Sequence, residues 1–268
     1  MSKPKIVPNI GENVHLKDYD PSDNLGLNEE ETRAKTAELQ QKLSDLQEKL
    51  YAQGKYSVLV VLQAMDAGGK DGAIRSVFTG VNPQGVRVTS FKAPSAEELS
   101  HDFLWRIHQQ TPPKGFIGVF NRSHYEDVLV VRVNNLVPKE VWQKRYDHIN
   151  HFEQMLANNG TTILKFYLHI SKAEQKERFL ERLQEPEKNW KFAIGDLKVR
   201  EQWDDYMQAF ESVFSQCHTA HAPWHIVPAN RKWVRNYVIS KAIVDAMEKM
   251  PLAYPAPHDG LDQIVIPD

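Results

Sequence analysis

The sequence predicts an α/β fold, a three-layer αβα sandwich around a five-stranded parallel sheet. Short apolar runs starting at Val58, Val86, Phe116, Thr161 and Trp224 alternate with stretches of helical periodicity. The first run, Val58 to Leu62, is unbroken and rich in β-branched residues, as a strand buried on both faces must be. It opens into Asp66-Ala67-Gly68-Gly69-Lys70-Asp71-Gly72, after which a helical pattern begins at Ala73. Helices between successive strands imply right-handed crossovers and hence a parallel sheet.

The elements follow in order. Residues 1–27 hold scattered Pro, Gly, Asn and Asp without a period and read as an irregular arm, lying on the surface or across a neighbour. Asn28 caps a helix whose Leu39, Leu43, Leu46 and Leu50 form one stripe, expected to cover the sheet. Val86 to Phe91 is the second strand. Ser95 and Glu98 form a capping box for a helix expected to run to about Gln110, with Arg106 and His108 on its surface.

Phe116 to Phe120 is the third strand, ending in the polar cluster Asn121 to Asp127. Val128 to Val133 fits strand or helix equally. From Pro138 a helix places Trp142, Tyr146, Ile149, Phe152 and Leu156 on one face, a core stripe. Thr161 to Leu168 is the fourth strand, and Ser171 caps the next helix. Residues 171–200 are rich in Lys and Arg with acids interleaved. They read either as a solvated face with i,i+4 pairs or as a basic lid closing over phosphates. A helix with Trp203, Tyr206, Phe210 and Phe214, a fifth strand from Trp224 to Val227, a closing helix from Trp233 to Met247 and a Pro-rich tail, 251–268, complete the chain.

The 268 residues suffice for one domain spanning 1–268, and the net charge of -2 argues against a non-specific nucleic-acid binder. A single cysteine, Cys217, rules out a disulfide framework and reads as a small buried residue. No apolar run reaches membrane-spanning length and no leader is expected, so the chain reads as cytoplasmic, with neither membrane nor nucleic acid as partner.

Strand, glycine loop with one lysine, helix is the layout of a P-loop. Backbone N–H groups and a helix N-terminus face an oxyanion there, and the lysine adds a full charge. Ala64 stands where the first glycine of the pattern would be, and Asp71 replaces the usual Ser/Thr. The metal-side hydroxyl is therefore a carboxylate, or its task has moved to Asp66. A plain tight turn is the competing reading, but the buried strand before it favours phosphate and a sandwich of the P-loop kinase kind.

Three segments together resemble the polyphosphate kinase 2 family: Ala64 to Gly72, Phe120 to Asp127, and Pro186 to Phe192 with Gly195-Asp196-Leu197. The resemblance spans roughly Asn28 to Met250. It implies a thymidylate kinase-like fold with a helical lid and Mg²⁺-dependent phosphoryl transfer between inorganic polyphosphate and adenine nucleotides. Carried onto this chain, it makes Asp66 the carboxylate at metal and acceptor phosphate, Lys70 the P-loop lysine, Arg122 the arginine after the third strand, and Arg182 the lid arginine. Ala67, Gly68, Gly69, Asp71, Gly72, Asn121, Glu126 and Arg178 join Lys70 in binding phosphate or nucleotide. Asn121 stands where many ADP-phosphorylating members have Asp, and the run Asn121 to Asp127 is similar to members using both AMP and ADP. The second metal carboxylate then falls to Asp127 or Glu126. A homo-oligomer, dimer or tetramer, is expected. An ATP-dependent nucleoside monophosphate kinase on the same fold is the rival enzyme, and a non-catalytic nucleotide-binding protein the rival from another class.

Overall fold

The computed structural model describes residues 6–261 and 264–267; residues 1–5 of the arm and 262, 263 and 268 of the tail lie outside the described residues. Its sheet has the order β2-β3-β1-β4-β5, and every pairing is parallel. The strands are β1 (Ser57–Gln63), β2 (Val86–Ser90), β3 (Ile117–Asn121), β4 (Thr161–His169) and β5 (Trp224–Pro228). β1 is central and buried along its whole length, as its unbroken apolar run requires. Leu62 of β1 is level with Asn121 of β3 and Phe166 of β4. The segments that follow these strands therefore leave the sheet side by side at its carboxyl edge, where open α/β sheets bind ligands.

Among the helices, α1 (Glu29–Gln53) starts where Asn28 Oδ1 accepts the Glu31 N–H at 3.2 Å and ends at Gly54 in left-handed conformation. Leu43 and Leu50 are fully buried. The helix packs chiefly along α10 (Lys232–Met247), and Leu43 and Leu50 join the core formed with the sheet. α2 (Lys70–Val77) begins earlier than its periodicity suggested, because the Ala73 N–H already bonds Gly69 O at 2.9 Å.

The helix expected over 95–110 is broken. The capping box forms, yet α3 (Ala96–Ser100) stops at once, and the Asp102 carboxylate takes the Leu104 N–H before a short α4 (Trp105–His108). Arg106 is buried and not a surface residue. Its Nη1 donates to Lys92 O at 2.8 Å and its guanidinium lies over the Phe91 ring. The ambiguous stretch 128–133 is helical: a 3₁₀ turn, His124–Val128, runs into α5 (Val130–Val133). α6 (Lys139–Asn158), α7 (Lys172–Gln184), α8 (Gly195–Glu201) and α9 (Trp203–Gln216) complete the set. The aromatic stripes of α6 and α9 are buried, and so is Cys217.

The arm lies on its own chain. Val14, Leu16 and Tyr19 are buried, the Val14 and Leu16 N–H groups bond Ser215 and Glu211 of α9, and Ile6 O accepts from Ile226 of β5. The tail is largely exposed after Pro251, whose carbonyl accepts from Gln53.

Beneath the carboxyl edge sits a fully buried ion pair. Lys165 of β4 donates to Glu153 Oε2 at 2.6 Å, to Tyr125 Oη at 2.7 Å and to Cys217 O at 2.7 Å, which satisfies all three ammonium protons. Glu153 Oε1 accepts from Tyr125 Oη at 2.8 Å and from His124 Nε2 at 3.1 Å. Burial by itself would raise the Glu153 carboxyl, but Lys165 and His124 hold it below the ordinary carboxylate range, while burial keeps His124 neutral. The network pins the turn that follows Arg122. Lys165→Met strands the Glu153 charge and is expected to lower the unfolding free energy by about 3–5 kcal/mol in urea titrations. Adding Glu153→Leu should recover most of that loss.

Candidate active site

The loop after β1 turns tightly. Gly68 admits no side chain, since a methyl there would sit 2.4 Å from Ala64 Cβ and 2.8 Å from Met65 O. Gly69 caps α2 in left-handed conformation with no side-chain cap, so first-turn N–H groups of the helix are left for an anion. Ala67 also holds a positive φ of 58°, local strain that a functional loop retains. Lys70 is 9 % exposed, and its Nζ folds back to Ala64 O at 3.1 Å. Burial, then the nearby Arg122 charge, push its pKa down to about 8.

Arg122 follows β3 with φ of 63°, its N–H continuing the ladder to Leu62 O. That backbone turn aims the guanidinium across the sheet edge. Nη2 donates to Asp66 Oδ1 at 2.5 Å and Nη1 to Glu126 Oε2 at 3.3 Å. Glu126 chiefly, against the cost of burial, raises the arginine's pKa and keeps it charged. Asn121 Nδ2 donates to Asp71 Oδ1 at 2.7 Å, so the amide replacing the family's frequent Asp is tied to the loop carboxylate. Asp127 is not part of this group. Its carboxylate pairs with Arg145 at 2.9 Å and burial lifts its pKa to about 6, because the 3₁₀ turn rotates successive side chains apart. Glu126, one residue earlier, faces the site instead.

The 171–200 region carries i,i+4 pairs, and some of its basic residues border a cavity. Glu174 and Arg178 form an i,i+4 pair on α7, while Arg182 and Lys188 face a cavity. Arg178 is buried, and its guanidinium donates to Ala67 O at 2.9 Å and Ala229 O at 2.7 Å. It therefore braces the P-loop against the segment after β5. Arg182 donates to Lys191 O at 3.0 Å and reaches Asp196 at 3.5 Å. Asn189 Nδ2 bonds the Arg182 and Leu183 carbonyls, fastening the 3₁₀ turn Pro186–Lys191 to the end of α7. Lys188 pairs with Glu181 and Glu185. Trp190 is 78 % exposed although it borders the cavity.

Two cavities meet at Asp66, Arg122 and Asp196. The larger, about 700 Å³, is walled by residues 66–72 and carries Lys92, Arg182, Lys188, Lys191, Lys232 and Arg235. The smaller, about 320 Å³, has apolar walls of Leu129, Val130, Val199, Tyr206 and Phe210, with Glu126 and Asn134 as polar groups. One lobe thus suits a polyanion and the other a flat, largely apolar group.

The sequence profile of the family described as polyphosphate kinase 2 matches residues 26–254. The chain belongs to the polyphosphate kinase 2 family. It is 56% identical over 253 residues, 94% of this chain and 95% of the other, to an AMP/ADP-polyphosphate phosphotransferase of Meiothermus ruber. Over 227 residues, 80% of this chain and 78% of the relative, it is 51% identical to an ADP-polyphosphate phosphotransferase of Rhodopseudomonas palustris. A crystal structure of polyphosphate kinase 2 from Arthrobacter aurescens TC1 superposes with a TM-score of 0.92 at 40% identity, covering 98% of this chain and 97% of that one. The fold is therefore that of the P-loop kinases, and the protein is a phosphotransferase of this family.

Among the described residues no group of three or more His, Cys, Asp or Glu forms a ready-made metal cage. The donor set still fits a hard cation such as Mg²⁺, which takes one or two carboxylates and completes its shell with water and substrate phosphates. Asp66, where the cavities join, and Glu126, on the smaller one, would supply such carboxylates, with Asp196 close enough for Asp66 to raise its pKa after burial has done so. Lys232 and Arg235 line the larger cavity but went unnoticed in the sequence, because nothing local distinguishes them from ordinary helix residues.

Lys70 gives a pH test. Its depressed pKa means that the free protein loses this charge as pH rises through about 8, whereas a bound anion restores the proton. Tripolyphosphate titrations in buffers of different ionisation enthalpy should show proton uptake at pH 9, little at pH 7, and weaker affinity at pH 9. Lys70→Arg should lack that uptake and keep only the pH dependence of the ligand's own ionisation.

Proposed function

We propose that this protein transfers the terminal phosphoryl group of inorganic polyphosphate to AMP and to ADP. The observation that carries the reading is the two-lobed site, a basic cavity of about 700 Å³ joined at Asp66 and Arg122 to a smaller one with apolar walls. The relatives named as AMP/ADP-polyphosphate and ADP-polyphosphate phosphotransferases support the same donor and acceptors. The polyphosphate chain occupies the basic lobe. The nucleoside occupies the lobe bounded by Tyr206 and Phe210, its phosphate directed to the junction.

Phosphoryl transfer asks little covalent participation of the protein; its demands are in-line positioning and neutralisation of charge on the equatorial oxygens. The uncapped start of α2 and Lys70 hold the donor's terminal phosphates. Arg122 sits between the lobes, fixed by Asp66 and Glu126, and steadies the group in flight. Arg182, whose Nη1 donates to Lys191 O, borders the same lobe and adds a second guanidinium. Asp66 and Glu126 would hold a Mg²⁺ ion, which would supply further charge neutralisation. The acceptor oxygen belongs to a phosphate that is already ionised near neutral pH, so no general base is required. Asn121 places a neutral amide, bonded to Asp71, on the wall of the larger lobe, where it adds no negative charge against an approaching phosphate.

With Mg²⁺, long-chain polyphosphate and AMP but no ATP, chromatography should show ADP first and ATP later. Transfer that requires ATP as donor would instead identify a nucleoside monophosphate kinase. Arg122→Ala and Arg182→Ala are each expected to lower kcat by about 10³-fold, in line with other arginine clamps on phosphoryl transfer. Chelation with EDTA should stop turnover, and added Mg²⁺ should restore it.

A further inference from the structure

Outside the motif segments, the first turn of α10 contributes two cations to the basic lobe, Lys232 and Arg235. Arg235 is only 3 % exposed. Its Nη1 donates to Gly69 O at 3.1 Å, and its Nε and Nη2 donate to Asn236 Oδ1 at 3.0 and 2.7 Å. The Asn236 amide is itself oriented, because its Nδ2 donates to Ser76 Oγ at 2.8 Å. Every one of these acceptors is a neutral oxygen, and no carboxylate among the described residues pairs with Arg235. Burial, and then the charge of a neighbouring cation, Arg178, lower its pKa to about 10.

A buried guanidinium is ordinarily compensated by a carboxylate, because an unpaired buried charge is costly. Arg178 has such a partner in Glu174 at 2.7 Å; Arg235 has none. Both guanidiniums nevertheless converge on one residue of the phosphate loop. A methyl built on Gly69 would lie 2.3 Å from Arg235 Nη1 and 3.3 Å from Arg178 Nη1. A methyl on Gly72 would lie 3.6 Å from Arg235 Nη2. Arg235 thus backs the loop on the side of the larger lobe, whereas Arg122 serves the junction, and neither Arg235 nor Lys232 borders the smaller lobe. An anion supplied by the substrate is the missing compensation.

We propose that Arg235 and Lys232 form a subsite for an internal phosphate of the polyphosphate chain, one that is held but not transferred. The proposal rests on the reading of the larger lobe as the polyphosphate site. The subsite sets affinity for the donor chain and its length preference, and leaves the phosphoryl step to Lys70, Arg122 and Arg182. Short chains that end at the P-loop gain less from it than long ones.

The test compares Arg235→Gln and Lys232→Gln with the unaltered protein. Isothermal titration with tripolyphosphate and with long-chain polyphosphate, in the absence of nucleotide, is run beside steady-state kinetics and melting curves. For Arg235→Gln the Kd and KM for the long chain should rise about tenfold or more, as loss of a charge-assisted contact implies. For exposed Lys232→Gln about threefold is expected, with the fold intact. Tripolyphosphate should be affected less and long-chain binding should become less salt-sensitive in both variants, and for Lys232→Gln kcat and the nucleotide KM should stay within about twofold. Unchanged long-chain affinity in Lys232→Gln, or an equal rise in the nucleotide KM, would overturn the subsite. So would a fall in Tm and kcat for Arg235→Gln with polyphosphate affinity preserved. Should Arg235→Gln not fold, Lys232→Gln decides the matter alone. Loss of long-chain binding in a protein that transfers no phosphate from polyphosphate would keep the subsite and reject the proposed activity.

Discussion

The parallel pairing of β1 between β3 and β4 is the constraint on which the site depends. Because Leu62 is level with Asn121, the glycine loop after β1 and the arginine after β3 emerge within bonding distance of each other. The Arg122 backbone completes the ladder by donating to Leu62 O, and only then does its positive φ swing the guanidinium onto Asp66. A slip in this register would separate the two and reverse the faces of both strands. β1 is buried along all seven residues, so its own apolar pattern does not select the register, and the bonds from Arg122 to Leu62 O and Asp66 favour this alignment.

Around this frame the charges are handled in two different ways. Below the sheet edge, Lys165 and Glu153 are fully buried and compensate one another, with Tyr125, His124 and the Cys217 carbonyl closing the remaining bonds. Above it, Arg235 is tied only to neutral oxygens of Gly69 and Asn236 and Lys70 to Ala64 O, which leaves their charge uncancelled, whereas Arg178 pairs with Glu174. The lower network makes the turn after Arg122 rigid. The upper set keeps the cavity electropositive in a chain whose net charge is -2. Rigid support beneath and uncompensated charge above are what a site for positioning a polyanion needs, because preorganised cations do not have to be rearranged as the phosphoryl group moves. The turn Pro186–Lys191 is held on the same economy. Asn189 uses the free carbonyls at the end of α7, so the turn carrying Trp190 and Lys191 is fixed by a helix terminus that would otherwise lack partners.

Much of this was legible in the chain itself. The five strands, the P-loop, the caps at Asn28, Ser95 and Ser171, and the core stripes of α6 and α9 are local patterns of period, glycine and capping residue, and each appears where the sequence places it. Asp66, Lys70, Arg122 and Arg182 could be singled out because they lie in or beside compact motifs, and all four border the cavities. The errors share a cause. Arg106 looked like a surface residue because its helical period was assumed to continue, whereas Asp102 ended the helix and turned Arg106 under Phe91. Asp127 looked as eligible as Glu126, and only the pitch of a 3₁₀ turn and the position of Arg145 separate them.

Sequence by itself determined the fold class, the strand order in the chain and the phosphate loop, because these rest on interactions between residues near one another. Tertiary structure alone decided which distant residues share the cavity. Lys232 and Arg235 reach the P-loop only because β5 lies beside β4 and delivers α10 to that edge. Tyr206 and Phe210, read from their period as core, do serve the core, but the same ring faces close the smaller lobe. Lys165 did carry a signal, a lysine inside an apolar strand, yet its partner Glu153 sits on another element at a place no local pattern marks. Pairings of that kind are settled by packing, where the cost of burying a charge selects the one geometry that neutralises it.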